Sequence, residues 1–136
     1  MGYVSISFDA PEHGERGHET ADQIFSRVFE NFRKFMWKII GNTAIDLGRV
    51  INWTMKKYGN NIDLTVPGLS MGGDVSIVSG TDERISRIIA VVATPDWKRP
   101  GMEYIGKPGG IVSQGEPDSY ALHFYNEMNP VTNLSK

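Results

Sequence analysis

The chain has 136 residues, 40% of them hydrophobic, with a formal net charge of −2 and no cysteine. That length suits one domain, taken here as residues 1–136, with a core of its own. The small net charge gives no electrostatic reason to expect nucleic acid or an anionic membrane as a partner. The absence of cysteine excludes disulfides, thiolate metal sites and a cysteine nucleophile. The longest aliphatic run, Ile88 to Ala93, is too short to cross a bilayer. Met1 to Ser5 lacks the basic and apolar regions of a signal peptide, so a cytoplasmic location is expected.

Gly2 to Phe8 alternates, with Val4, Ile6 and Phe8 on one side, and predicts a strand at the very start. Asp9 to His18 is polar, carries two glycines and a proline, and reads as a surface loop. Thr20 and Gln23 form a capping box for a helix. Phe25, Val28, Phe29, Phe32, Phe35, Met36, Ile39 and Ile40 then make an apolar stripe at helical spacing, read as a core-facing surface. Gly41-Asn42 is expected to interrupt it, with Thr43 capping a second segment that buries Ala44, Leu47, Gly48, Ile51, Met55 and Tyr58. Gly59 suits a left-handed cap at its end.

Ile62 to Val66 predicts a short strand, Met71 to Ser79 a helix, and Ile85 to Thr94 the strongest strand of the chain. Lys98 to Pro117, rich in Gly and Pro, reads as loop. A last helix is expected from Asp118 to Met128, stopped by Asn129-Pro130, with a loop-like tail. Strands alternating with helices imply an α/β fold: a three-layer sandwich with a mostly parallel sheet. In such a fold ligands sit at the carboxyl ends of the strands. That edge would gather the His13 loop, Ser70 and Asp96.

Between the second strand and its helix stands Gly68-Leu69-Ser70-Met71-Gly72-Gly73. The spacing G-x-S-x-G is that of a nucleophile elbow, which raises a serine on a tight strand-to-helix turn. Ser70 is therefore the candidate nucleophile. The backbone N–H of Met71, at a helix N-terminus, is the candidate oxyanion donor. His13, Leu69, Asp96 and Trp97 are candidates for lining the substrate pocket. His13, His18 and His123 lack metal-ligand spacing, and neither G-x-G-x-x-G nor a P-loop lysine is present, so neither a metal nor a cofactor is expected.

The elbow resembles that of the α/β-hydrolase superfamily. Phe8 to Gly17 resembles the loop after the fourth strand in its dienelactone-hydrolase-like and prolyl-oligopeptidase-like esterase branches. Ala93-Thr94-Pro95-Asp96-Trp97 is similar to the end of their sixth strand, and Asn129-Pro130-Val131-Thr132 to the segment entering their seventh. The resemblance implies a serine hydrolase acting on small acyl compounds such as carboxylic esters, built on the central part of that fold without its N- and C-terminal strands. In the family the acid and the histidine follow strands beyond those matched here. The base would then come from elsewhere, and the chain alone would act as a fragment or pseudoenzyme. A small-ligand-binding module on the same scaffold is a third reading. The family's third strand, which separates the fourth and fifth, is also unmatched. Exposed strand edges follow, and with them self-association or a complementing chain.

Overall fold

The structure is a computed structural model that describes residues 2–102 and 113–133. Among those residues there are five α-helices, a short 3-10 turn and two strands. This overturns the three-layer sandwich with a mostly parallel sheet, including its reading as a partial α/β-hydrolase fold. The molecule is helix-rich, and its sheet consists of one parallel pair.

The capping box at Thr20 forms as expected: Gln23 N–H donates to the Thr20 hydroxyl, and the Gln23 side chain accepts from Thr20 N–H. It starts α1, Ala21–Glu30. The break then falls at Asn31, not at Gly41-Asn42. Asn31 caps α2, Phe32–Tyr58, by accepting from Lys34 N–H. α2 passes through residues 41–43 without interruption; Thr43 turns its hydroxyl back onto Ile39 C=O at 2.6 Å instead of capping a new helix. Gly41 is helical because the Phe124 ring occupies the place of a side chain: a Cβ there would lie 2.3 Å from it. The glycine therefore marks a close approach of two helices. Gly59 ends α2 with φ 91°, its N–H on Met55 C=O.

β1, Thr65–Leu69, and β2, Arg87–Val91, pair in parallel with Thr65 opposite Arg87 and Leu69 opposite Val91. α3, Met71–Ser79, connects them and packs on both. α2 lies against α3 and against α4, Ser119–Met128, which Asp118 caps through Ala121 N–H. In the expected tail loop, Pro130–Asn133 form a further turn of helix, α5, and the rest of that tail lies outside the described residues. The main core joins Trp37 and Ile40 of α2, Val75 of α3, Ala121 and Phe124 of α4, and Trp97 from the segment after β2. A second cluster holds Ile24, Val28, Phe32 and Ile39.

Residues 2–8 form no strand, although their pattern predicts one. A strand exists only where a neighbour takes its N–H and C=O groups, and among the described residues no strand pairs with this segment. Tyr3 and Val4 are fully or largely exposed, and Ile6 and Phe8 are partly so. Among the described residues, the helix that packs on the sheet, α3, covers one face. Paired residues of parallel strands point to the same side. Pro67, Leu69, Ile89 and Val91 lie opposite the α3 face and are exposed. No helix among the described residues is long and apolar enough to cross a membrane.

Candidate active site at the Ser70 elbow

Ser70 occupies the turn from β1 into α3 with φ 54° and ψ −119°. This combination is strongly disfavoured for a residue with a Cβ, and such strain persists only where the surroundings over-determine it. The surroundings here are the sheet and two glycines. Ser70 N–H donates to Val91 C=O at 2.9 Å, continuing the β1–β2 ladder one residue past the strand. Ser70 C=O accepts from Asp74 N–H at 3.0 Å, already within the helix. The residue thus belongs to both elements, and the chain must reverse direction within it.

The glycines divide the work. A Cβ on Gly68 would stand 2.0 Å from Gly72 C=O, so the strand can lie under the helix start only without one. A Cβ on Gly73 would meet the Ala93 methyl at 2.6 Å, so Gly73 sets how closely α3 approaches the end of β2. Gly72, by contrast, has open space at that position. Met71 anchors the turn from below, packing against both core clusters. Its N–H opens α3. N–H groups in a first helical turn have no intrahelical acceptor, and the helix dipole favours negative charge beside them. The Ser70 hydroxyl makes no capping hydrogen bond, and the residue is exposed. Leu69, beside it, is 66% exposed.

One turn into α3, Asp74 is completely buried. Its Oδ1 accepts from Thr94 N–H at 2.9 Å, and its Oδ2 is paired with the Arg99 guanidinium. Burial pushes the carboxyl upward in pKa, against the opposing pull of the Thr94 N–H and of Arg99. The Arg99 guanidinium also lies 5.4 Å from the Phe32 ring centroid, within cation–π range. Arg99 itself sits at φ 47°. Asp74 and Arg99 therefore tie the helix bearing Ser70 to the segment that leaves β2. Sequence reading missed both. The available signal was a lone acid in an otherwise small and apolar helix, Met71-Gly72-Gly73-Asp74-Val75-Ser76-Ile77-Val78-Ser79.

The other candidates separate. Asp96 makes a turn: its N–H donates to the Thr94 hydroxyl, and its carboxylate accepts from Lys98 N–H at 2.9 Å. Trp97 is fully buried in the main core, its N–H held by the Asn129 side chain and its C=O by Trp37 Nε1–H. His13 has its Nδ1 2.9 Å from Pro11 C=O, within its own loop. His123 lies on α4 beside Phe124, and His18 is exposed. No histidine among the described residues is hydrogen-bonded to Ser70. Nor do three or more His, Asp or Glu side chains come together there as metal ligands would. A cavity of about 300 Å³ lies at the opposite end of α3, between Leu47, Ile51, Val78 and Met128, and not at the elbow.

No protein-family model matches the chain, and no curated protein or solved structure does.

Proposed function

We propose that this protein is a serine hydrolase of the carboxylesterase type, acting on a small acyl ester in the cytoplasm. Ser70 is the nucleophile. It attacks the ester carbonyl, the alcohol leaves, and water then releases the acyl group from the Ser70 oxygen. The Met71 N–H, at the start of α3, faces the charge that develops on the carbonyl oxygen. Leu69 offers an apolar contact beside the reacting group.

One observation carries this reading: the strained backbone of Ser70, φ 54° and ψ −119°, at a junction that Gly68 and Gly73 make sterically possible. A surface serine in an ordinary turn has no need of that conformation. The resemblance of the segment to hydrolase elbows supports the same assignment.

Labelling with a fluorophosphonate, read by intact mass, tests it. One adduct on the wild type and none on Ser70→Ala is the expected result. No adduct on the wild type would sink it.

A second reading is favoured by the histidines, none of which reaches Ser70 by a hydrogen bond. In this reading the isolated chain acylates without efficient turnover. A p-nitrophenyl ester then gives a burst of one equivalent and little steady-state rate, where a complete enzyme gives sustained release.

A further inference from the structure

Two glycines of α2 share one face of the helix and have opposite surroundings. Gly41 and Gly48 are about two turns apart and so lie in one line. At Gly41 the Phe124 ring of α4 takes the place of a side chain, whereas a Cβ on Gly48 would meet nothing within 4 Å. Glycine inside a helix is less favourable than alanine. Alanine would fit at Gly48 and touch nothing, so packing does not call for glycine there. Its effect is to widen the cavity of about 300 Å³ that it lines. Leu47, Ile51, Val78 and Met128 give that cavity an apolar wall. An apolar cavity of about 150 Å³ holds a benzene ring, so this one has room for a ring and a short chain.

The polar wall is one-sided in its hydrogen bonding. The Ser79 hydroxyl spends its proton on Ser76 C=O at 2.7 Å, and the Thr81 hydroxyl spends its own on Val78 C=O at 3.1 Å. The N–H groups of Thr81 and Asp82 are bonded to Val78 and Ser79 C=O. The Asn133 amide donates to Asn126 and Asn129 C=O. Asp82 and Glu127 complete the wall, and an ionised carboxylate only accepts. Asp82 is already paired with Arg84, whose hydrogen bonds hold its carboxyl below the ordinary pKa. Among the described residues Glu127 forms no ion pair, and no lysine, arginine or histidine lines the cavity. The wall therefore presents acceptors and negative charge, its protons being committed within the protein. We infer that this cavity binds a small amine, in its ammonium form, with an aryl or alkyl body. The ammonium brings three donors to a wall of acceptors, and Glu127 is its counter-charge. The apolar body fills the space over Gly48. A carboxylate of the same shape would meet like charge and no donor. The site lies at the far end of α3 from Ser70, and the inference does not depend on the chemistry there.

Isothermal titration calorimetry of the full chain at neutral pH tests it, with 2-phenylethylamine, 2-phenylethanol and 3-phenylpropionate as probes of similar shape. The expected result is saturable binding of the amine with a dissociation constant of about 1 mM or tighter. It should bind at least about tenfold more tightly than the alcohol or the carboxylate. Gly48→Leu fills the cavity and should abolish binding of the amine. Glu127→Gln keeps the shape, removes the charge and should erase most of the preference for the amine over the alcohol. Far-UV circular dichroism checks that each variant is folded. If Gly48→Leu fails to fold, Glu127→Gln, at an exposed position, decides alone. An amine that does not bind the wild type overturns the inference. So does 3-phenylpropionate binding as tightly as the amine, or an amine affinity that is unchanged in Gly48→Leu or in Glu127→Gln.

Discussion

The N–H of Ser70 donates to the carbonyl of Val91 across 2.9 Å, so the candidate nucleophile is still a member of the β ladder when its own carbonyl enters α3. This is possible because Gly68 lets the Gly72 carbonyl pass where its Cβ would be. Gly68→Ala places a methyl 2.0 Å from that carbonyl, and both partners are backbone. The turn must open, at a cost on the order of 2 kcal/mol or more. Gly72→Ala meets nothing within 4 Å and lies inside a helix, so it should be neutral or stabilising by about 0.5–1 kcal/mol. Urea denaturation separates the two variants. Phosphonate labelling should be lost only in Gly68→Ala. Equal loss in both would show that the elbow does not depend on this crossing.

Asp74 and Arg99 supply a prediction with a pH sign. Asp74 is completely buried, and its cation is mostly so. Arg99→Met strands the carboxylate without a counter-charge, a loss of about 3–5 kcal/mol for a buried pair. Burial already raises the folded-state pKa of Asp74, and removing Arg99 raises it further. For an acid whose folded pKa lies above its unfolded value, the group favours folding below the unfolded pKa. That contribution is lost as pH rises through the folded pKa. Arg99→Met should therefore be least stable relative to wild type at neutral pH, with the deficit shrinking as pH falls toward the unfolded Asp value of about 3.9. A deficit that does not change with pH would mean that Arg99 acts by packing on Phe32 and not by charge. Asp74→Asn keeps an acceptor for Thr94 N–H and should cost less than Arg99→Met at neutral pH.

Trp97 separates two kinds of buried indole. Trp37 Nε1–H donates to Trp97 C=O at 2.9 Å, whereas Trp97 Nε1–H, in its fully buried site, has no partner among the described residues. Trp37→Phe leaves a buried carbonyl without its donor and loses ring volume. Trp97→Phe loses volume but also removes an unsatisfied donor. Trp37→Phe should be the more destabilising by roughly 1 kcal/mol or more. Thermal denaturation of the two single variants checks the order.

Local signals were legible in the sequence, and non-local ones were not. The Thr20 box and α3 after the elbow follow from residues within a few positions of one another, and the parallel sense of β1 and β2 follows from the helix expected between them. The strand over residues 2–8 failed because alternation describes what a strand would bury, while pairing depends on a neighbour elsewhere in the chain. Gly41 was misread because a helical glycine can mean a break or a close approach, and only Phe124, far along the chain, decides which. Trp97 was expected at the pocket from its place after a strand. Asn129 and Trp37 hold it in the core instead, through contacts more than thirty residues away in sequence. At the site itself, the elbow could be read from five residues. The Asp74–Arg99 tie needs the path of the chain between them.

The strain at Ser70 gives the sharpest separation of function from stability. A non-glycine residue held at φ 54° and ψ −119° costs on the order of 1–3 kcal/mol, and glycine adopts that geometry without a Cβ clash. Glycine also gains freedom in the unfolded chain, which offsets up to about 1 kcal/mol of the relief. Ser70→Gly should therefore be as stable as wild type or more stable by about 1 kcal/mol, although it deletes the proposed nucleophile. Ser70→Ala keeps the Cβ and with it the strain, so it should gain nothing, and both variants should be blind to the phosphonate. The hydroxyl makes no capping bond whose loss could mask the effect. Chemical denaturation of the three proteins side by side reads it directly. If Ser70→Gly proves clearly less stable than Ser70→Ala, the backbone is not strained at this position, and the observation on which the nucleophile assignment rests is removed.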